Sequence, residues 1–479
     1  MSAAPTANKQ EYRKTMMLTE PVSKIIPKMA IPTIVAFIIN SVYSLADTYF
    51  VSGLGEAATA AVSVNSSLDQ FIMMGGSLFA VGANSYIARL LGAREEEKAS
   101  RVLSVAFFLA AFFGLVILAF GSAFMTPMVR MLGATTSCEQ HSIDYATYVL
   151  LVAPFMTTSF VMNQCLRAEG SATLSMIGMG FGGILNCFLD PIFINGFGSF
   201  EGMGVAGASL ATAISKLVSF AILIFPYLTR RSVLRISLKY FKPTWQIIRE
   251  IVSVGSSSML RSGLAVISAI VLNNIIKGLP QETVNGVLQD TPTAVLAGIG
   301  VTTKVMMFPF SIILGFCTGF TPVAGFNWGA RRCDRVRESY NFSAKVAIIG
   351  SVIMAVGLWV TADWIMSAFA DGGEANRIGA LSIRLQCLAL PIHAWVALVN
   401  MLCSGLGRAK GALLLATARQ GTCFLPIVHL LAFLFGANGI AAVQAVADIL
   451  TLALAVPMIV SVMRLVRREE EKQLTAAAI

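Results

Sequence analysis

Charge is scarce in this chain of 479 residues, where Asp, Glu, Lys and Arg make up only 13%. That is about half of the roughly 25% usual in soluble domains, and it excludes an ordinary water-soluble enzyme. Histidine is rarer still: His141, His393 and His429 are the only three, and their separations match no metal-ligand spacing. The eight cysteines include no Cys-x-x-Cys, and only Cys138 falls in a predicted external loop. Neither a disulfide framework nor a zinc site is expected. Acidic residues number 25 against 35 basic ones, for a net charge of +10.

What the chain has is apolar length. At 56% hydrophobic residues and about 20 per membrane-spanning helix, a dozen crossings are the ceiling. Apolar windows place six spans near 25–51, 59–88, 100–124, 141–165, 172–194 and 203–228. Six more follow near 251–277, 294–325, 340–364, 377–402, 410–435 and 439–464. The expected fold class is an all-α polytopic membrane protein with twelve transmembrane helices in two six-helix lobes. Its parts would be a cytoplasmic tail over 1–24, an N-lobe over 25–228, a basic linker over 229–250, a C-lobe over 251–464 and a second tail over 465–479. The first tail has no convincing small-residue cleavage site, so the helix from Ile25 reads as retained.

The basic surplus lies on one side of this plan. Both tails, the linker and the connections holding Arg89, Arg94, Lys98, Arg331, Arg332 and Arg335 are basic, whereas the opposite loops hold few basic residues (Arg130, Lys277 and Arg377) and carry Glu56, Glu201, Glu282, Asp290, Asp371 and Glu374. Basic loops stay cytoplasmic, so both termini should face the cytoplasm of a cell (inner) membrane. No nucleic-acid partner is needed to account for the charge.

The chain repeats itself. Shifting it by 237 residues aligns Gly92-Ala93-Arg94 with Gly329-Ala330-Arg331, Pro154 with Pro391, Asn163 with Asn400 and Gly170 with Gly407. Each unit has an even number of spans, so the lobes should be related by a pseudo-two-fold axis along the membrane normal, as in transporters that rock two bundles around a central site.

A carboxylate at mid-membrane costs roughly 2.5 to 3.5 kcal/mol on insertion scales, so each one marks a candidate site. Asp47 shares one helical face with Asn40, Tyr43 and Ser44. Gly178, Gly182, Asn186 and Asp190 fall four apart and form one small-then-polar stripe, in which the glycines would admit a neighbouring helix. Pro191 has no N–H and leaves the Cys187 carbonyl without its helical partner. Such a cluster of oxygens suits either a proton held on a desolvated carboxylate or a dehydrated Na+. The second half lacks this chemistry, since Cys423 and Ile427 stand opposite Asn186 and Asp190. It offers Arg261, Lys304 and Arg384 instead, while Asp448 receives no transport role. Among the 22 methionines, Met73, Met74, Met156, Met162, Met176, Met179, Met306 and Met307 fall in spans and could line a cavity that takes varied apolar shapes or fill gaps between helices. Phe37, Phe155, Tyr145 and Tyr148 could offer faces to a cation.

Several stretches resemble the multidrug and toxic compound extrusion (MATE) transporters, over about 24–468. They are Ala46-Asp47-Thr48, Arg89-Leu90-Leu91-Gly92-Ala93, Leu166-Arg167-Ala168-Glu169-Gly170, the run Asn186 to Ile194, the run Gly204 to Thr212 and the run Pro322 to Ala330. The first half looks like the DinF-type branch, which exchanges H+ or Na+ for amphipathic, often cationic, organic compounds. The resemblance assigns cation coupling to Asp47, Asp190, Asn186 and Thr212, which would also be the ligands if the ion is Na+. It assigns the substrate cavity to Asn40, Tyr43, Tyr145 and Asn163, with Met176 added from the methionine pattern, and a helix bend to Pro32, alongside Pro191. Gly198 to Glu201 look like an insertion before span 6, and the acidic residues of the NorM-type second lobe are absent. The implied protein is a secondary antiporter and not an enzyme, a monomer in lipid that carries small organic substrates without a cofactor. Two alternatives are a lipid-linked precursor flippase of the same superfamily and an intramembrane aspartyl protease, although no Gly-x-Gly-Asp run precedes Asp190.

Overall fold

The computed structural model describes residues 15–136, 138–197, 200–280, 282–284, 287–289, 291–369 and 373–477. The tail up to residue 14, Gly198 and Ser199 of the expected insertion, and the loop acids Asp290 and Asp371 lie outside the described residues. The first six crossings are α1 (Val22–Ser52), α2 (Glu56–Gly92), α3 (Glu96–Ala123), α5 (Glu139–Ala168), α6 (Ala172–Asn195) and α7 (Gly204–Leu228), with a short α4 (Met125–Met131) between α3 and α5. A 3-10 turn at Leu238–Tyr240 leads to α8 (Trp245–Lys277), α9 (Thr291–Gly329), α10 (Cys333–Phe369) and α11 (Glu374–Gly405). Then come α12 (Ala409–Thr417), a π-helical turn (Ala418–Thr422) and α13 (Phe424–Ala477). Two antiparallel hairpins fill the α6–α7 and α8–α9 connections: β1 (Gly196–Phe197) with β2 (Phe200–Glu201), and β3 (Glu282–Val284) with β4 (Val287–Gln289).

Helix is the only open structure that satisfies every backbone N–H and C=O inside lipid, and apolar sequences of this length adopt it. Among the described residues, eleven helical stretches are long and apolar enough to cross a membrane. The last, Ala409–Gln473, has 65 residues, about 98 Å of helix against a hydrocarbon core of about 30 Å. Gly436 divides it: its φ of 54° and ψ of −131° suit glycine, which lacks the Cβ that would clash there. Twelve crossings result. The final helix runs on to Ala477 and not to 464, because charged residues end a hydropathy window without ending a helix. Arg337 reaches Glu470 at 3.1 Å and Lys472 reaches Glu469 at 2.7 Å along that extension.

The repeat is visible in local geometry. Arg94 and Arg331 both take left-handed backbone, at φ 63° and 58°, as do Gly170 and Gly407 at 83° and 75°. Asn163 donates to the Ser175 carbonyl at 3.1 Å, and its counterpart Asn400 donates to that of Ala412 at 2.9 Å. Asn65 bridges the carbonyls of Ala61 and Ser142, and Thr302 does the same for Gly298 and Gly379. All of these pairs keep the 237-residue shift. Before the last span of each half the shift falls to 232, where Gly204 and Gly436 share φ values of 57° and 54°.

Packing divides the chain into two compact units. One comprises Met1–Met259, Thr318–Arg332 and Gly405–Gly407; the other comprises Leu260–Cys317, Cys333–Ser404 and Arg408–Ile479. Within the first, α6 lies against α1 on one side and α7 on the other. A Cβ on Gly183 would come within 3.2 Å of Ile39, and one on Gly182 would lie 1.9 Å from the Ser219 hydroxyl and 3.0 Å from the Ser215 carbonyl. A Cβ on Gly207 would stand 2.2 Å from the Phe193 carbonyl oxygen. Gly207→Val should therefore force α7 off the end of α6 and cost about 1–3 kcal/mol or more. Gly350→Ala, where an added Cβ meets nothing within 4 Å, should be near neutral. Thermal unfolding in detergent compares the two, and equal melting temperatures would mean that this contact is not tight.

Candidate functional site

Asn186 and Asp190 stand one helical turn apart on α6, and the glycines at 178 and 182 continue their stripe against α7. Asp190 has no solvent exposure and Asn186 has 1%. The Asn186 amide donates to Asp190 Oδ1 at 3.1 Å and to the Thr212 hydroxyl on α7 at 3.2 Å. Tyr145 on α5 is buried, and its backbone carbonyl accepts from the Ser209 hydroxyl on α7. Asp47 on α1 is 9% exposed and within electrostatic reach of Asp190. Pro32 and Pro191 lie inside continuous helices.

These groups leave acceptors unused. Asp47 Oδ1, Asn186 Oδ1 and Asp190 Oδ2 are buried atoms without a hydrogen-bond partner. An unpaired buried acceptor costs about 1–3 kcal/mol, more when charged, so the open oxygens of Asn186 and Asp190, one turn apart on α6, and of Asp47 on the adjoining α1 call for a donor or cation. A proton serves, and so does a small cation that oxygen dipoles can coordinate. Among the described residues no group of three or more His, Cys, Asp or Glu side chains could hold a metal ion, so such a cation would draw on amide, hydroxyl and carbonyl oxygens as well.

Beside this cluster lies a cavity with about 660 Å³ of empty space, part of it open to solvent. Asn40, Tyr43, Asn163, Asn186 and Thr212 line it. Asn163 also accepts from the buried Arg167. Of the methionines, Met73, Met156 and Met179 reach the wall. Met176, on the same helix as Met179, is half-buried and outside the lining set.

Two charged residues complete the site. Asp69 on α2 is half-buried, with Oδ1 sealed and unpartnered. Lys216 on α7 lines the cavity, acts electrostatically on both Asp47 and Asp69, and has its ammonium 5.1 Å from the centre of the Tyr43 ring. Each of these charges costs as much inside a membrane as those of Asp47 and Asp190, and Thr212, Lys216 and Ser219 share one helical face.

The second unit carries its own charged cluster. Arg419, on the π-helical turn, donates from Nε to Asp448 Oδ1 at 2.6 Å and lies 4.7 Å over the Phe310 ring. His393 Nδ1 stands 3.9 Å from the same carboxylate oxygen. Arg384 pairs with Asp363 at 2.5 Å, Lys304 is exposed and Arg261 is half-buried.

The MatE family model matches residues 32–192 and 269–427, two segments whose starts keep the 237-residue shift. The multidrug export protein MepA of Staphylococcus saprophyticus is 26% identical over 436 residues, covering 91% of this chain and 92% of that protein. MepA of Staphylococcus aureus strain MSSA476 is 27% identical over 447 residues, covering 93% and 94%. Among solved structures, a MATE in complex with MaL6 superposes with a TM-score of 0.85 at 24% identity, over 95% of this chain and 99% of that one. An outward-facing multidrug resistance MATE family transporter of the MOP superfamily gives the same TM-score and identity, over 95% and 98%.

Proposed function

Because the chain belongs to the MatE family, we propose that it is a multidrug efflux antiporter of the DinF-type branch, exchanging H+ or Na+ for amphipathic organic compounds by alternating access. The observation that carries this reading is the set of unpartnered buried oxygens on Asp47, Asn186 and Asp190 beside an apolar cavity in the same unit. An ion taken up at the carboxylates satisfies those acceptors, draws Asn186 and Thr212 with them and reshapes the wall that holds the organic cargo. Release of the ion restores the acceptors and the affinity for cargo. Ion and cargo thereby exclude one another without touching, which is the requirement for exchange. The basic tails and linker support a cell-membrane protein with both termini in the cytoplasm, acting as a monomer.

One monovalent charge moving down 100 mV gains about 2.3 kcal/mol. If one cation is exchanged for a cargo of equal charge, that term cancels and the concentration gradient alone drives export. In reconstituted vesicles, dye export should therefore follow either an imposed pH gradient or an imposed Na+ gradient, and the gradient that works identifies the ion. Export driven by neither would overturn ion exchange as the mechanism.

A further inference from the structure

Of all the residues that line the first unit's cavity, only Lys216 carries a charge. Asp47, Asp69 and Asp190 are not in the lining set, Asp190 reaching it only through its hydrogen bond from Asn186, so the charge that a bound molecule meets directly is an ammonium. Lys216 has no carboxylate within 4.0 Å among the described residues, although Asp47 and Asp69 are within electrostatic reach. It rests instead over the Tyr43 ring, 5.1 Å from its centre, in a cation–π contact. An ammonium has three donors and no acceptor, and a ring face occupies none of them as a strong hydrogen bond would. The rest of the wall is a mixture of thioethers, Phe160, Leu223, small hydroxyls and the neutral amides of Asn40, Asn163 and Asn186, which fits an aromatic or aliphatic body but offers Lys216 no anion.

We infer that Lys216 is a specificity-determining residue that receives a carboxylate of the transported compound, so that the cavity favours amphiphiles bearing an acid group over purely cationic ones. Where the same molecule also carries an amine, the hidden acids face that end while the acid group meets Lys216. The inference rests on reading this cavity as the place where cargo is held.

The test uses a matched pair of dyes, tetramethylrhodamine with its free carboxylate and tetramethylrhodamine methyl ester, which differ only in that group. Binding to the full-length protein in lipid nanodiscs is read by fluorescence anisotropy against empty nanodiscs. The wild-type protein should bind the free acid about tenfold more tightly than the ester, the worth of one charge-assisted hydrogen bond. Lys216→Met and Lys216→Gln should abolish the preference by weakening only the acid, and Lys216→Arg should keep it. An unchanged acid-to-ester ratio in the Met and Gln variants, tighter binding of the ester by the wild type, or binding of neither dye would each overturn the assignment. The wild-type ratio alone can do so even if a variant fails to fold. Failure of the exchange reading is a separate result: no gradient drives either dye, while the equilibrium ratio still reports on Lys216.

Discussion

Asp190→Asn protein will let dye equilibrate across a vesicle membrane but will not concentrate it, and Asp47→Asn protein will behave the same way. The substitution is nearly isosteric. An amide oxygen at position 190 can still accept from Asn186 Nδ2, which lies 3.1 Å from Asp190 Oδ1, so the α6–α7 packing and the cavity wall are retained. What is lost is the exchangeable charge: an amide at either position can neither take up and release a proton nor neutralise a small cation. Uphill transport should fall to background while equilibrium dye binding survives, and that split separates a coupling role from packing damage. Either variant still building a full gradient would remove that carboxylate from the coupling scheme. Loss of dye binding together with transport would mean that the residue serves the structure of the site.

The second large effect concerns stability and lies in the other unit. Asp448 is 4% exposed and is paired with Arg419, and breaking such a buried pair from one side typically costs about 3–5 kcal/mol, because the remaining charge is left uncompensated. Asp448→Leu should therefore lower the unfolding temperature sharply. Removing Arg419 as well, in the double variant Asp448→Leu with Arg419→Met, should recover most of the loss, since replacing a whole buried pair by apolar groups is often neutral. A double-mutant cycle in detergent measures the coupling, and additive losses would show that the two do not act as a pair. Export per folded molecule should remain in Asp448→Asn, because this cluster holds none of the coupling oxygens.

The fold was legible in the sequence because apolar length and a 237-residue echo are both one-dimensional signals. Even the division of the final helix at Gly436 falls between the two predicted spans. The Asn186–Asp190–Thr212 group was legible in part: the first two lie a helical turn apart, while Thr212 came from family likeness. Asp69 and Lys216 were not picked out. A lysine in a span reads by default as a stem that snorkels to the surface, and only the packing of α7 against α6 and α1 turns Lys216 toward the cavity. The Arg419–Asp448 pair was beyond reach for a related reason. The two residues lie on different crossings, and the π-helical turn resets the direction of Arg419 in a way that no periodicity announces. Carrying the 232-residue register forward from Gly204 and Gly436 puts Lys216 and Asp448 at matching places, so the two halves hold opposite charges at one position of a shared plan.

The same register says something about the β1–β2 hairpin. The second half joins its last two crossings through the break at Gly436, whereas the first half uses five more residues for the corresponding join, and Gly207 and Gly439 press on a preceding carbonyl, at 2.2 and 1.9 Å from a built Cβ, in both cases. The extra length is thus slack that the packing of α7 against α6 does not use, which makes the α6–α7 connection the natural place to splice in an epitope, a protease site or a fluorophore for reporting which face of the bilayer it occupies.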